Sequence, residues 1–261
     1  MNDQKDTQKI ISAVCTPRVI SLKNPVVAAE AAIKINPLNR PSMKKLQRMV
    51  GRLGRFPTPE ELAIVTDKYW GAEGVRLTVG FLDNPSAELR ERILSHMNAW
   101  NQTANIEFVY TEAANDAQVR INRERMADDA WNGYWSFLGT DILLDSEIKG
   151  PDGPPNGQTM NLEGFTTRTA ESEFTRVVRH ETGHTLGCPH EHMREELINK
   201  LDRQKTIDYF KMLTGWSEEM IIQQVLTPLD ENPSPTDDLP PVEGSEYTDP
   251  ISIMTYQIPE I

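Results

Sequence analysis

The histidines are concentrated in one short stretch, which constrains the fold more than any other feature of the chain. Four of the five histidines in 261 residues lie between His180 and His192. His180 and His184 stand one helical turn apart, so a helix places them on one face, with roughly 5–6 Å between Cβ atoms. Both imidazoles can then reach one ion. Glu181 lies beside them, poorly placed to be a ligand but able to hold a water at the ion.

Gly187 predicts the end of this helix, because glycine readily adopts the left-handed conformation that reverses the chain. The reversal would carry His190 back toward the same ion. The full pattern is H-E-x-x-H-x-x-G-x-x-H, and Ser252-Ile253-Met254-Thr255-Tyr256 follows near the end of the chain. Together they match the metzincin signature of a long histidine motif and a later methionine turn. The alternative, a helix with incidental histidines, is the weaker interpretation because five fixed residues must coincide.

Composition and charge argue against several classes of partner. The chain carries 27 Lys and Arg against 39 Asp and Glu, a net charge of −12. This balance argues against nucleic acid, since phosphate binding needs a basic face. No run approaches the roughly 18 apolar residues of a membrane span, so no membrane function is expected. The first residues are polar and are not followed by the apolar stretch of a Sec signal, which predicts a protein that is cytoplasmic or exported by a non-classical route.

The charge is divided unevenly along the chain. Residues 1–60 hold eleven Lys and Arg against four Asp and Glu, a net of +7, and the remainder holds 16 against 35, a net of −19. A basic leader on an acidic body indicates that the first covers the second. The two cysteines, Cys15 and Cys188, allow at most one disulfide.

Hydrophobic periodicity predicts an α+β fold, because a series of strands precedes the metal helix. Thr169 is the predicted cap of that helix. The predicted strands are 75–81, 106–110, 119–121, 133–139, 141–144 and 159–162. Further helices are predicted at 25–33, ended by Asn36-Pro37, at 42–50 with Gly51 as its stop, at 206–213 and at 217–225. Residues 227–250, rich in proline and acid, are predicted to form an exposed loop.

The chain resembles the astacins among the metzincins. Glu191 directly follows the third histidine and Tyr256 stands two places after Met254, as in that family's motif. Residues 63–70 are similar to the start of a mature astacin domain, and residues 133–139 to its tryptophan-serine segment. The resemblance covers residues 63–256. Astacin disulfide positions, near Tyr134 and Phe165, are not cysteine here, so the chain looks like a disulfide-poor, microbial M12-type relative.

The resemblance implies a fold and a domain organisation. The expected fold is a metzincin catalytic domain, a twisted mixed sheet over a zinc-binding helix with a small C-terminal subdomain ending in the Met-turn. Residues 1–62 would be an N-terminal helical segment and possible propeptide. Residues 63–261 would form the catalytic domain, with an N-terminal subdomain to about residue 187 and a C-terminal subdomain over 188–261.

The implied activity is that of a zinc endopeptidase acting on proteins or peptides. His180, His184 and His190 would hold Zn²⁺, and Glu181 would be the general base. Tyr256 would donate to the oxyanion or, alternatively, only pack in the core. A catalytically silent protein-binding module with a structural zinc site is the alternative from another class. A different hydrolase using the same ion is a third possibility.

The N-terminal segment is a candidate intramolecular inhibitor. In astacins the glutamate matching Glu191 pairs with the new N-terminus that propeptide removal creates, here near Leu62 or Ala63. Cys15 could be a zinc-blocking thiolate, an unpaired buried cysteine or one half of a bridge to Cys188. His192 is expected to be solvated, and His96 is given no role beyond a structural or solvated one.

Overall fold

The computed structural model describes residues 15, 24–64, 66–193, 195–227 and 251–256. They divide into two compact units. The sheet unit comprises the described parts of 15–39 and 66–188. The helical unit comprises the described parts of 40–65 and 189–256.

The sheet unit is built on five strands. These are β1 (Val75–Phe81), β2 (Ile106–Tyr110), β3 (Val119–Asn122), β4 (Tyr134–Ser136) and β5 (Met160–Leu162). Among the described residues their order is β2-β1-β3-β5-β4. β1 runs parallel to β2 and β3, β3 runs parallel to β5, and β4 pairs antiparallel with β5. β4 therefore forms one edge of the sheet, the edge that leads toward the histidine motif.

The described α-helices are α1 (Pro25–Ile35), α2 (Met43–Leu53), α3 (Pro59–Ile64), α4 (Ala87–Met97), α5 (Asp145–Ile148), α6 (Glu171–Glu173), α7 (Arg179–Thr185), α8 (Glu195–Ile198), α9 (Arg203–Thr214) and α10 (Glu218–Val225). A π-helical turn, Phe174–Val178, joins α6 to α7. Shorter 3₁₀ turns include Pro37–Asn39, Gly139–Leu143 and Glu191–Met193.

The core of the sheet unit lies between the strands and two helical segments. α4 begins where the Ser86 hydroxyl accepts a hydrogen bond from the backbone N–H of Leu89, the usual role of a serine N-cap. Its Ile93 and Met97 are completely buried. Phe174 and Val178 of the π-helical turn join the same core and fix the approach to α7. None of the helices in the described part of the chain has the length and apolar character needed to cross a membrane.

The helical unit packs α9 and α10 against each other. Asp202 caps α9 through the backbone N–H of Lys205, and Ser217 caps α10 through that of Met220. The buried side chains of this unit include Ile207, Phe210, Ile221, Met254 and Tyr256. Residues 252–255 form a turn closed by a 3.0 Å hydrogen bond from Thr255 N to the Ser252 carbonyl.

The predicted α+β class is confirmed, as a mixed fold with a five-stranded, mostly parallel sheet. Three local predictions are wrong. Residues 141–143 lie in a 3₁₀ turn and Leu144 is the N-cap position of α5, α2 continues through Gly51 to Leu53, and the cap position before α6 is Ala170 and not Thr169. The loop predicted for 227–250 lies outside the described residues from 228 onward, and the predicted domain boundaries stay predictions.

Candidate metal centre

His180 and His184 lie on one face of α7, as the sequence predicted. Their ring centroids are 4.8 Å apart and their ring planes nearly perpendicular. Both rings are buried, and so is Glu181 between them. Val177 and Val178 of the π-helical turn, directly before α7, belong to the core of the sheet unit. A π-turn directly before such residues is typical of functional helices.

The chain reverses directly after α7. Gly187 has φ +98°, a conformation that side chains with a Cβ rarely adopt, and the backbone N–H of Cys188 donates to the Gly183 carbonyl at 2.9 Å. The Cys188 carbonyl lies 2.8 Å from Nδ1 of His184. A carbonyl can only accept, so this contact fixes the tautomer with a proton on Nδ1 and leaves Nε2 as the lone-pair donor. The loop therefore fixes the orientation of the His184 ring.

Cys15 lies beside the two histidines. Its Sγ and one ring nitrogen each of His180 and His184 lie within 4.8 Å of one another. The thiol donates to Oε2 of Glu181 at 3.4 Å, and the backbone of Cys15 forms an isolated parallel bridge with Tyr134 of β4. Cys15 is buried, and neither cysteine is in a disulfide, so the predicted alternative of a Cys15–Cys188 bridge is wrong.

Glu181 is a buried carboxyl whose surroundings favour the protonated form. Burial raises the pKa of Glu181 to about 8, while the Cys15 hydrogen bond and the Arg176 charge act in the opposite direction. Arg176 stands in the π-helical turn and is held by Glu173 through two N–O contacts of 3.1 and 2.7 Å. A positive charge placed close to this carboxyl would therefore lower its pKa and favour the ionised form.

Buried hydroxyls connect α7 with the edge strand β4. Oγ of Ser136 and Oγ1 of Thr185 are 2.9 Å apart, and both residues are inaccessible or nearly so. Thr185 Oγ1 also donates to the Glu181 carbonyl at 3.3 Å, and the indole N–H of Trp70 donates to the Thr185 carbonyl at 3.0 Å. Sequence analysis missed these residues because their only sequence signal is a polar residue at a core position.

His96, which had no assigned role, is a buried structural residue. Its Nε2 lies 2.8 Å from Oε1 of Glu171, and its Nδ1 accepts from Arg179 Nε at 3.4 Å. The Arg179 carbonyl accepts from the indole N–H of Trp100 at 3.0 Å. The residue directly before His180 is therefore held by two side chains from the region of α4.

His190 and Tyr256 are neighbours in the helical unit. Their ring centroids are 4.4 Å apart, and the backbone N–H of Glu191 donates to the Met254 carbonyl at 3.0 Å. His192 stacks on Tyr256 at 4.1 Å and its Nδ1 accepts the backbone N–H of Tyr256 at 3.3 Å. The prediction that His192 is solvated is wrong, because this side chain is 2% exposed. Met254 is buried, as expected of a packing residue.

The fold is similar to that of a known metalloprotease. One structure of myroilysin, a metalloprotease, aligns with 73% of this chain and 81% of its own, at 26% sequence identity and a TM-score of 0.54. A second myroilysin structure aligns with 72% of each chain at 29% identity and a TM-score of 0.44. Comparison with protein-family models and with curated proteins gave no match. The first structure supports a metalloprotease fold for this chain.

Proposed function

We propose that this chain is a zinc endopeptidase of the astacin-like, metzincin type. The observation that carries the proposal is the arrangement in α7, where two buried imidazoles face the same side with a buried carboxyl between them. The likeness to a metalloprotease fold supports it. A solvated helix would expose these side chains, and an apolar core would not contain them, because burying a polar group without a partner is costly.

His190 is the proposed third ligand. It follows His184 by six positions, and the reversal at Gly187 turns the chain within that interval. The donors fit Zn²⁺, because neutral imidazole nitrogens are preferred ligands of this ion and His184 already has Nε2 available. The turn of residues 252–255 is the proposed Met-turn, with Met254 packing beneath the site and contributing no ligand, since a thioether competes poorly with imidazoles for zinc.

A zinc ion bound there supplies a Lewis acid that lowers the pKa of water and polarises a peptide carbonyl. Glu181 accepts the proton of the attacking water and transfers it to the leaving amine. The positive charge of the site keeps this otherwise protonated carboxyl ionised. Tyr256 donates its hydroxyl proton to the developing oxyanion.

Cys15 is the proposed internal inhibitor of this site. Its sulfur lies close to the proposed ligand atoms of His180 and His184, and its thiol donates a hydrogen bond to the Glu181 carboxyl. The backbone bridge to Tyr134 occupies the edge of β4 at the same time. A thiolate is a strong zinc ligand, so Cys15 would compete directly with water for the ion.

Glu181→Gln tests the proposed reaction. We expect peptide hydrolysis to fall by roughly two to four orders of magnitude, the usual contribution of a general base, with zinc still bound. Glu88→Gln, which removes the same charge from an exposed position on α4, should leave activity unchanged. Undiminished turnover in the Glu181→Gln protein would contradict the assignment. Zinc-loaded protein that cleaves no peptide in a broad library would favour the silent binding module.

Cys15→Ser tests the proposed inhibition. The serine variant should cleave a peptide substrate without a lag or added activator, whereas the parent protein should need the thiol to be displaced or blocked. Cys188→Ser is the matched control and should behave like the parent, because the contact of Cys188 with His184 is made by its backbone carbonyl, which serine keeps. Equal initial rates for parent and Cys15→Ser proteins would rule out inhibition by this thiol.

A further inference from the structure

Two asparagines attach the N-terminal part of the sheet unit to its body. Asn39 is completely buried. Its side-chain amide donates to the Tyr69 carbonyl at 2.9 Å and its carbonyl oxygen accepts the Tyr69 N–H at 3.0 Å. It thus binds both backbone groups of one residue, in the way that a neighbouring strand would. The Asn39 carbonyl also accepts the Asp67 N–H at 3.0 Å.

Asn36 extends the same attachment. Its side-chain amide donates to the Trp70 carbonyl at 3.3 Å and lies 3.5 Å from that of Tyr69. Asn39 donates to the Ala32 carbonyl at 3.0 Å, which ties the last turn of α1 to the same point. We call Asn36 and Asn39 the asparagine clasp. It holds residues 66–70, a segment without regular secondary structure that belongs to none of the five strands.

Packing reinforces the clasp. Ala28, Ala29 and Ala32 of α1 are buried, and Ala28 belongs to the main core of the sheet unit. α1 packs against the 3₁₀ turn Gly139–Leu143. α1 therefore contributes to the core of the sheet unit.

The clasped segment in turn supports α7. Trp70 donates its indole N–H to the Thr185 carbonyl at the end of this helix. The Lys68 carbonyl accepts the Thr140 N–H at 3.0 Å, and Lys68 Nζ pairs with the Asp141 carboxylate at 3.2 Å. Segment 66–70 therefore connects the clasp to the end of α7 and to the turn against which α1 packs.

We propose that residues 24–39 are a permanent part of the sheet unit, so that cleavage of the chain after residue 40 leaves them bound. Cys15 belongs to the same fragment as the asparagine clasp, so cleavage after residue 40 does not by itself separate Cys15 from the protein. The proposal differs from release of residues 1–62 as one propeptide. It concerns retention of a fragment and does not require that the chain hydrolyses peptides.

A site-specific cut tests this proposal. A protease recognition sequence inserted between Arg40 and Pro41, at an exposed residue that follows the clasp, allows the folded full chain to be cut in native buffer. Size-exclusion chromatography and mass spectrometry then show whether fragment 1–40 stays with the remainder. We expect co-elution. A cut chain whose fragment elutes alone would overturn the proposal without bearing on the peptidase activity.

Variants separate the clasp from other attachments. Cys15→Ala removes the thiol, and its cut chain should still retain the fragment. Asn36→Ala combined with Asn39→Ala should speed dissociation at least about tenfold, since several partly buried hydrogen bonds are lost. Asn101→Ala, at an exposed position, should behave like the parent. Release from the Cys15→Ala protein, or unchanged retention in the double asparagine variant, would overturn the role of the clasp. The single Asn36→Ala variant repeats the test should the double variant fail to fold.

Discussion

The hydroxyl pair between α7 and β4 gives a prediction whose size follows from proton counting. Ser136 and Thr185 each carry one hydroxyl proton, yet three contacts compete for these protons: the Ser136–Thr185 contact, Ser136 to the Phe137 carbonyl at 2.9 Å, and Thr185 to the Glu181 carbonyl at 3.3 Å. Two contacts can therefore be satisfied at once. Each hydroxyl keeps a backbone acceptor when the other is removed.

Thr185→Val should consequently cost one net hydrogen bond, about 1 kcal/mol, and not the larger penalty of an unsatisfied buried group. Ser136→Ala should cost more, about 1.5–2 kcal/mol, because it removes both 2.9 Å contacts and leaves Thr185 only the longer 3.3 Å contact with the Glu181 carbonyl. The double variant loses the same two short contacts, about 2 kcal/mol, so it should lose less than the sum, with a coupling of about 0.5–1 kcal/mol. The free energies come from urea denaturation followed by tryptophan fluorescence, with the slope of the transition compared between variants.

Thr182→Val provides the matched control. Thr182 is also completely buried in α7, but its hydroxyl donates to the Val178 carbonyl within the same helical segment, at 2.6 Å. Thr182→Val and Ser136→Ala should therefore add within about 0.3–0.5 kcal/mol. Equal coupling in both cycles, or additivity of Thr185→Val with Ser136→Ala, would refute the proposed link between α7 and the edge strand.

Two further predictions concern the ends of this region. Gly187→Ala should lower the free energy of unfolding by roughly 1–3 kcal/mol, because φ is +98° and the new Cβ would lie 3.1 Å from the Lys68 carbonyl oxygen. Gly51→Ala, inside α2 with open space around it, should raise that free energy by up to about 1 kcal/mol. Urea denaturation measures both changes, and equal effects would contradict backbone strain at Gly187. Burial raises the pKa of Asp141 above its ordinary 3.8 against the lowering effect of Lys68, so the folded state binds the extra proton and this group's contribution to stability falls as pH rises through that window. The stability difference between parent and Asp141→Asn should decrease from pH 4 upward, and a constant difference would contradict it.

The sequence predicted the parts of the site whose determinants are local. His180, Glu181 and His184 are fixed relative to one another by helix geometry alone, and Gly187 marks the reversal because few other residues adopt its conformation. Long alternating segments such as Val75–Phe81 were equally informative. A short apolar run such as residues 141–144 is ambiguous between strand and helix, and a tight turn beginning at Gly139, with φ +50°, decided it.

Features that depend on distant residues could not be predicted. Thr185 meets a partner 49 positions away in Ser136, and His192 is buried because it stacks on Tyr256, 64 positions away. The asparagine clasp gave only the signal of a helix end at Asn36-Pro37. Each of these polar groups is placed by tertiary packing, so periodicity and capping rules carry no information about its partner.

The most direct test of the account is X-ray absorption at the zinc edge of the full-length, zinc-loaded protein, together with its metal content. The full-length protein should bind one zinc per chain through three imidazole ligands and one sulfur. The Cys15→Ser protein should lose the sulfur ligand and retain all three imidazoles. Zinc that fails to bind, or a site with fewer than three imidazoles in the Cys15→Ser protein, would contradict the central claim that His180, His184 and His190 hold a catalytic metal ion.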